Sequence, residues 1–177
     1  MATTSDTRLD HVRAAPRDRG TVELIVRRPA VDEREVVDEA ELDLEDGLVG
    51  DNWRARGRSG GRRGANLDAQ VTVASSRAIA LAAGDRDRWP LAGDKLYLHL
   101  DLSGENLPPV TRLEVGSAVI EVTAEPHTGC KKFAARFGLE TLELFNSPEG
   151  RALSLRGINA RVVQPGTVRV GDVARRL

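Results

Sequence analysis

Eight consecutive residues, Glu125-Pro126-His127-Thr128-Gly129-Cys130-Lys131-Lys132, carry the densest chemistry in the chain. They hold the only cysteine of 177 residues, with a histidine three positions before it and two lysines directly after. The thiolate is the nucleophile and metal ligand of cysteine chemistry, and neighbouring cations or a helix N-terminus favour its formation. A soft thiolate is also the right donor for a soft metal centre. His127 is placed to hydrogen-bond the sulfur or to serve as acid or base. A cysteine–histidine pair fits hydrolase chemistry too, but no third residue at a recognisable position orients the ring. Plainer readings stand beside these. Free cysteines are usually buried small hydrophobes, and Lys131, Lys132 and Arg136 need no task as surface charges.

A second set of candidates lies upstream. Nine acids and one arginine fill residues 32–46, whereas five arginines and one aspartate fill residues 49–66. Arg54, Arg56, Arg58, Arg62 and Arg63 are spread among Gly57, Gly60, Gly61 and Gly64, with no apolar period. The segment Asn52 to Asn66 therefore reads as a loop. Loops of that length are usually functional or disordered. The functional reading is an anion-binding rim, because the planar guanidinium fork suits phosphate. Asp51, after Gly50, is a turn residue or points into the site.

Composition narrows the classes. Apolar residues make up 40% and charged residues 30%, as in ordinary globular domains. A net charge of −1 argues against a general nucleic-acid binder. One cysteine excludes an intrachain disulfide and a cysteine-cage zinc site, and fits a reducing compartment. No apolar run approaches the roughly 20 residues that span a bilayer. The N-terminus carries no apolar leader, so the expected location is cytoplasmic.

The elements that must position Cys130 follow from period and punctuation. Residues 1–20 read as a flexible lead-in and 21–177 as one domain. Strands are expected at Thr21–Arg28, Val36–Leu44, Gln70–Ala74, Lys95–Leu102, Ser117–Ala124, Gly157–Val163 and Thr167–Ala174. In the fourth, Leu96, Leu98, Leu100 and Leu102 face inward, and Tyr97, His99 and Asp101 outward. Helices are expected at Arg77–Ala83, capped by Ser75 or Ser76, then at Lys131–Phe137 and Leu139–Phe145, with Ser147-Pro148 starting another. Helices and strands do not alternate, so a mainly β closed barrel with short helices in its connections fits best. Closure also removes exposed strand edges.

Several pieces then fall into one order: Gly50-Asp51; Gly104-Glu105-Asn106-Leu107; Pro126-His127-Thr128-Gly129-Cys130-Lys131; Arg156-Gly157-Ile158-Asn159-Ala160-Arg161; and Gly171-Asp172. From about Val22 to Val173 the chain resembles the MOSC domain family, named for the C-terminal domain of molybdenum cofactor sulfurases, in its short stand-alone form. The resemblance implies a barrel akin to that of pyruvate kinase. It also implies a link to the molybdenum cofactor (molybdopterin) or to sulfur transfer. Cys130 would then supply a thiolate to molybdenum, and the loop arginines would grip the pterin phosphate. Glu105 and Asn106 would meet a pterin edge or shape their turn, and Arg156 and Arg161 flank the last glycine turn. The implied activity is reduction of N-hydroxylated small molecules with electrons from a partner protein. The alternatives are a persulfide carrier that hands sulfur to a partner, and a non-catalytic anion-binding module.

Overall fold

A computed structural model of the chain describes residues 6–59 and 64–177. The first described residues form a 3-10 turn, Thr7–Leu9, and the short helix α1, Asp10–Arg13. Leu9 and Val12 are buried against the helical side of the core. This corrects the expectation of a flexible lead-in over its described part: two apolar side chains anchor it.

In chain order there follow β1 (Arg19–Arg27), β2 (Glu35–Val37), β3 (Glu39–Asp43), β4 (Gly47–Leu48) and α2 (Trp53–Ser59). Next come β5 (Val71–Ser75), α3 (Ser76–Ala83), β6 (Leu96–His99), β7 (Arg112–Val115) and β8 (Ala118–Val122). The chain finishes with α4 (Lys131–Phe137), α5 (Leu139–Asn146), α6 (Pro148–Ala152), β9 (Ile158–Gln164), β10 (Gly166–Arg169) and β11 (Val173–Arg176). The expected caps are in place. The hydroxyls of Ser75 and Ser147 accept from the N–H groups of Ala78 and Gly150, starting α3 and α6; such caps contribute about 1 kcal/mol each.

Seven strands close into a barrel in the order β1-β11-β7-β8-β9-β5-β6 and back to β1. All neighbours are antiparallel except β5 and β6, which the α3 crossover joins in parallel. Strand β2 adds to the outside of β1, and β10, β3 and β4 form a separate small sheet. The closed barrel is therefore as expected, but helices and 3-10 turns occupy as many residues as strands. Two further expectations change. The strand foreseen at Thr167–Ala174 is two, split at Gly171, whose φ is +92°. Asn52–Asn66 is no plain loop, because Trp53 is buried and starts α2.

The barrel interior is filled by inward residues such as Val22, Ile25, Val73, Leu96, Leu98, Ile120 and Ala160. The outer face of β1, β5 and β6 is covered as well. Leu24, Val26, Ala74 and Tyr97 pack under α3 and the 3-10 segment Arg86–Ala92. Tyr97 is thus buried, not outward to water, and its hydroxyl donates to the Trp89 carbonyl at 2.9 Å. Alternation marks which residues share a face; it does not say what covers the second face.

Gln70 joins the barrel to the small sheet. It is fully buried. Its Nε2 donates to the Leu44 carbonyl at 3.0 Å, and its Oε1 accepts from the Val162 N–H at 2.8 Å. Gln70→Ala leaves both backbone groups without partners, which lowers the unfolding free energy by roughly 2–4 kcal/mol. Urea denaturation of the two proteins measures this.

Candidate functional site

Cys130 stands where β8 has ended and α4 begins. The intervening segment is held from both sides. Asn159 Nδ2 donates to the carbonyls of Glu125 and Pro126 at 3.1 and 3.2 Å. Asn146 brackets Gly129, accepting from its N–H at 3.0 Å and donating to its carbonyl at 3.2 Å. A Cβ on Gly129 would lie 2.5 Å from Leu142 Cδ1, so any larger residue would displace that side chain of α5. The chain thus delivers an exposed thiol from a fixed backbone. Partial burial raises the thiol's pKa, but the N–H groups of Phe133 and Lys132, then Arg156 and Arg136, outweigh it and hold the pKa below the usual thiol range. Lys131 and Lys132 are exposed beside it.

Behind the sulfur lies a buried carboxylate that sequence reasoning missed. Asp94 is buried, with Oδ1 2.7 Å from His127 Nε2 and Oδ2 2.6 Å from Arg156 Nη1. Burial alone would raise its pKa, but the Arg156 and His127 charges and hydrogen bonds overcome this and lower it. Arg156 also donates to the Ala92 carbonyl at 2.8 Å, and its guanidinium lies 5.1 Å from the Phe133 ring centre. The histidine therefore has an orienting partner, supplied from 33 positions upstream. No local spacing announces it.

The adjacent residue serves a different group. Lys95 is buried, donates to the Gln70 carbonyl at 2.6 Å, and lies 3.4 Å from Asp51 Oδ2. Desolvation lowers its pKa to about 8 against the pull of Asp51. Asp51 is itself buried, and its carboxylate accepts from the N–H groups of Arg28 and Trp53 at 2.7 and 2.9 Å. These residues surround a cavity of about 340 Å³ lined by Arg28, Arg56, Lys95, Trp53 and Thr72.

Cations extend from that cavity toward Cys130. Arg56 is affected first by burial and then by Arg28. Arg34 is affected by burial, then by Arg136 and Arg28, and its pKa is lowered. Arg136 in turn acts on Cys130. On the other side of Arg28 and Arg34 sits Gly93, at φ +82°; a Cβ there would come within 3.4 Å of Arg28 Nη1 and 3.9 Å of Arg34 Nη2. The buried Nε atoms of Arg28 and Arg34 and the Thr72 hydroxyl have no hydrogen-bond partner among the described residues. Gly93-Asp94-Lys95 thus adjoins Arg28 and Arg34, His127 and Arg156, and Asp51 in three consecutive residues.

The remaining candidates separate. Arg54 pairs with Glu45 and Asp46, both at 3.3 Å, on the surface. Arg56 faces Asp51 at 3.6 Å. Arg62, Arg63 and the side chain of Arg58 lie outside the described residues. Glu105 is exposed, 3.7 Å from Arg17. Asn106 is buried and structural: it donates to the carbonyls of Arg17 and Asp101 and accepts from Arg176. Arg161 pairs with Glu121 at 3.0 Å. The cations acting on the sulfur are therefore Arg156 and Arg136. Of the described loop arginines, Arg54 and Arg56, the second lines the cationic cavity.

A closed barrel that offers one thiol at the start of a short helix, backed by buried cations, defines a thiolate-presenting β-barrel protein. The MOSC domain matches residues 60–175, and the chain belongs to that family. Solved structures agree on the fold. The YuaD protein from Bacillus subtilis is 20% identical with a TM-score of 0.60, over 88% of this chain and 94% of that one. YiiM from Escherichia coli is 19% identical with a TM-score of 0.55, over 89% and 69%. YiiM from Geobacillus stearothermophilus is 14% identical with a TM-score of 0.54, over 89% and 73%. No curated protein matches the chain. Among the described residues no helix is long and apolar enough to cross a membrane.

Two outcomes follow from the electrostatics. Alkylation of Cys130 by iodoacetamide, followed against pH, has its midpoint below that of an ordinary cysteine, and Arg136→Ala moves it upward. Burial holds the Lys95 pKa at about 8 in the folded protein, against the ordinary lysine value of 10.5 in the unfolded chain. The unfolded chain binds more protons between those values, so this group's contribution to stability rises with pH there. The unfolding free energy of the wild type relative to Lys95→Met should therefore climb, on the order of 3 kcal/mol, from pH 8 to 10.5. Paired denaturation curves across that range measure it.

Proposed function

We propose that this protein binds the molybdenum cofactor, with Cys130 as the thiolate ligand and the Arg28–Lys95 cavity as the seat of the pterin phosphate. The family is associated with that cofactor. The observation that carries the reading is the continuity of charge. An exposed thiol, depressed by the N–H groups of Phe133 and Lys132 and then by Arg156 and Arg136, leads through Arg34 to the buried Arg28 Nε, which has no hydrogen-bond partner among the described residues.

The residues fit such a group. A phosphate accepts several charge-assisted hydrogen bonds, and guanidinium and ammonium groups supply them. Arg28, Arg56 and Lys95 stand against the buried carboxylate of Asp51 and the exposed one of Glu125, which leaves the cavity with excess positive charge. Gly93, whose φ of +82° favours glycine, lies in van der Waals reach of Arg28 and Arg34. When bound, the cofactor supplies the redox chemistry, which this chain's own side chains lack. The protein's part is to hold and orient it: Cys130 as soft donor, Asp94 fixing Arg156 and His127, and Asp51 fixing Lys95. His127, clamped at Nε2, keeps Nδ1 to exchange a proton with a bound molecule. On this reading the substrate is an N-hydroxylated small molecule, electrons come from a partner protein, and the location is the cytoplasm.

A second reading rests on the exposure of Cys130. A thiolate open to a partner protein can carry a sulfane sulfur as a persulfide and pass it on. Elemental analysis separates the two. Protein made in a cofactor-competent host should hold near-stoichiometric molybdenum, and Cys130→Ala should lose it. Metal-free protein carrying one extra sulfur that a reductant removes would replace the first reading with the second.

A further inference from the structure

A second cavity lies on the other flank of the 125–129 segment, away from the arginine cavity's main lining. It measures about 260 Å³ and is walled by Leu107, Val122, Phe145 and Ile158, with His127 and Arg151 among its polar residues. The four apolar walls are each at least nine-tenths buried. A dry cavity of about 150 Å³ accommodates benzene, so this one has room for a ring with a substituent. Phe145 offers an aromatic surface for stacking.

The charged lining consists of Arg151, Arg156 and Glu125, with His127 beside them. Arg156 spends its charge on Asp94, which it shares with His127. Arg151, on the exposed side of α6, makes no side-chain ion pair or hydrogen bond among the described residues. The wall's one remaining carboxylate, Glu125, is exposed. The backbone next to Arg151 is also held in an unusual state. Ser154, which lines the cavity, has a φ of +51°, a left-handed conformation uncommon for a residue with a side chain. Such conformations concentrate at ligand sites. Three residues on, Gly157 has a φ of +115°, and a Cβ there would meet the Val73 carbonyl oxygen at 2.3 Å and His127 Cδ2 at 3.1 Å. The turn from Ser154 to Gly157 therefore brings β9 hard against the histidine ring.

We propose that this cavity is a binding site for a small aromatic carboxylic acid. The ring enters between Leu107, Val122, Phe145 and Ile158, and the carboxylate meets Arg151. The site stands without the molybdenum reading, because the groups proposed to hold the ligand, Leu107, Val122, Phe145, Ile158 and Arg151, do not line the arginine cavity; the two cavities share only Glu125 among their described lining residues. It lies next to the sulfur: Thr128 lines it two residues before Cys130, and Arg156 both lines it and acts on the thiol.

Sodium benzoate and benzyl alcohol, titrated calorimetrically into the full chain without added metal, test this. Benzoate should saturate at one per chain and bind more tightly than benzyl alcohol. Arg151→Ala, a surface change that leaves the fold intact, should weaken benzoate by at least about tenfold, the worth of one charge-assisted hydrogen bond, and remove that preference. Ala124→Trp, at the exposed rim, should block both ligands with an unchanged melting temperature. Arg28→Ala should leave benzoate binding as it was. Absence of saturable binding overturns the proposal. So does equal affinity for the alcohol, or benzoate binding that survives Arg151→Ala and disappears in Arg28→Ala.

Discussion

Two buried charges of opposite sign sit side by side in the chain, and the site depends on their pointing different ways. Asp94 and Lys95 precede β6, where successive side chains leave the backbone on opposite sides. Asp94 goes to His127 and Arg156, the pair nearest the sulfur. Lys95 goes to Asp51 and Gln70 in the arginine cavity. Neither charge would be tolerated alone. An unpaired buried ion costs several kcal/mol, so each fixes its partners as firmly as they fix it. Gly93, immediately before them, turns the chain at a φ of +82° beside Arg28 and Arg34. Three residues at the mouth of a closed barrel thereby set the relative positions of a thiol, a histidine and a group of cations.

The cations themselves are an unfavourable assembly. Like charges several ångströms apart repel by about 2 kcal/mol at an effective dielectric of 20. Asp51 is the buried carboxylate on the Lys95 side. Burial lowers the pKa of Arg34, Arg56 and Lys95, and neighbouring arginines add to it. A fold bears such a cost where an anion repays it, and the Nε donors of Arg28 and Arg34, without partners among the described residues, can receive one. Regions of stored electrostatic strain with shifted pKa values are where function concentrates.

How much of this was legible in the sequence depended on range. Period and punctuation located β1, β5, α3, β6, β8 and α4, together with the Ser75 and Ser147 caps, because those signals lie within a few residues. The placement of Cys130 at the start of α4 was legible for the same reason. The arginine-rich segment drew attention by composition, yet Arg54 turns to its own acidic neighbours and Trp53 makes the segment helical. Arg28 and Arg34 had read as a strand end and an isolated charge in an acidic run. Lys95 reads as the start of a strand, and no local pattern marks Asp94. These four become a site only when β1, the Ala92–Lys95 approach and α4 meet in three dimensions, and no local spacing encodes that. Tyr97 failed for a related reason: alternation showed its face, and α3 covered it.

The claim on which the rest stands is that the cations around Lys95 and the sulfur of Cys130 form one site. It is tested most directly by following Cys130 alkylation with iodoacetamide while inorganic pyrophosphate is added at fixed pH and ionic strength. Pyrophosphate should slow the reaction saturably, because an anion on Arg28 and Arg34 offsets the positive field that favours the thiolate and crowds its approach; chloride at matched ionic strength should not. An alkylation rate indifferent to pyrophosphate would contradict the claim and leave the thiol and the cations as two unrelated features of one barrel.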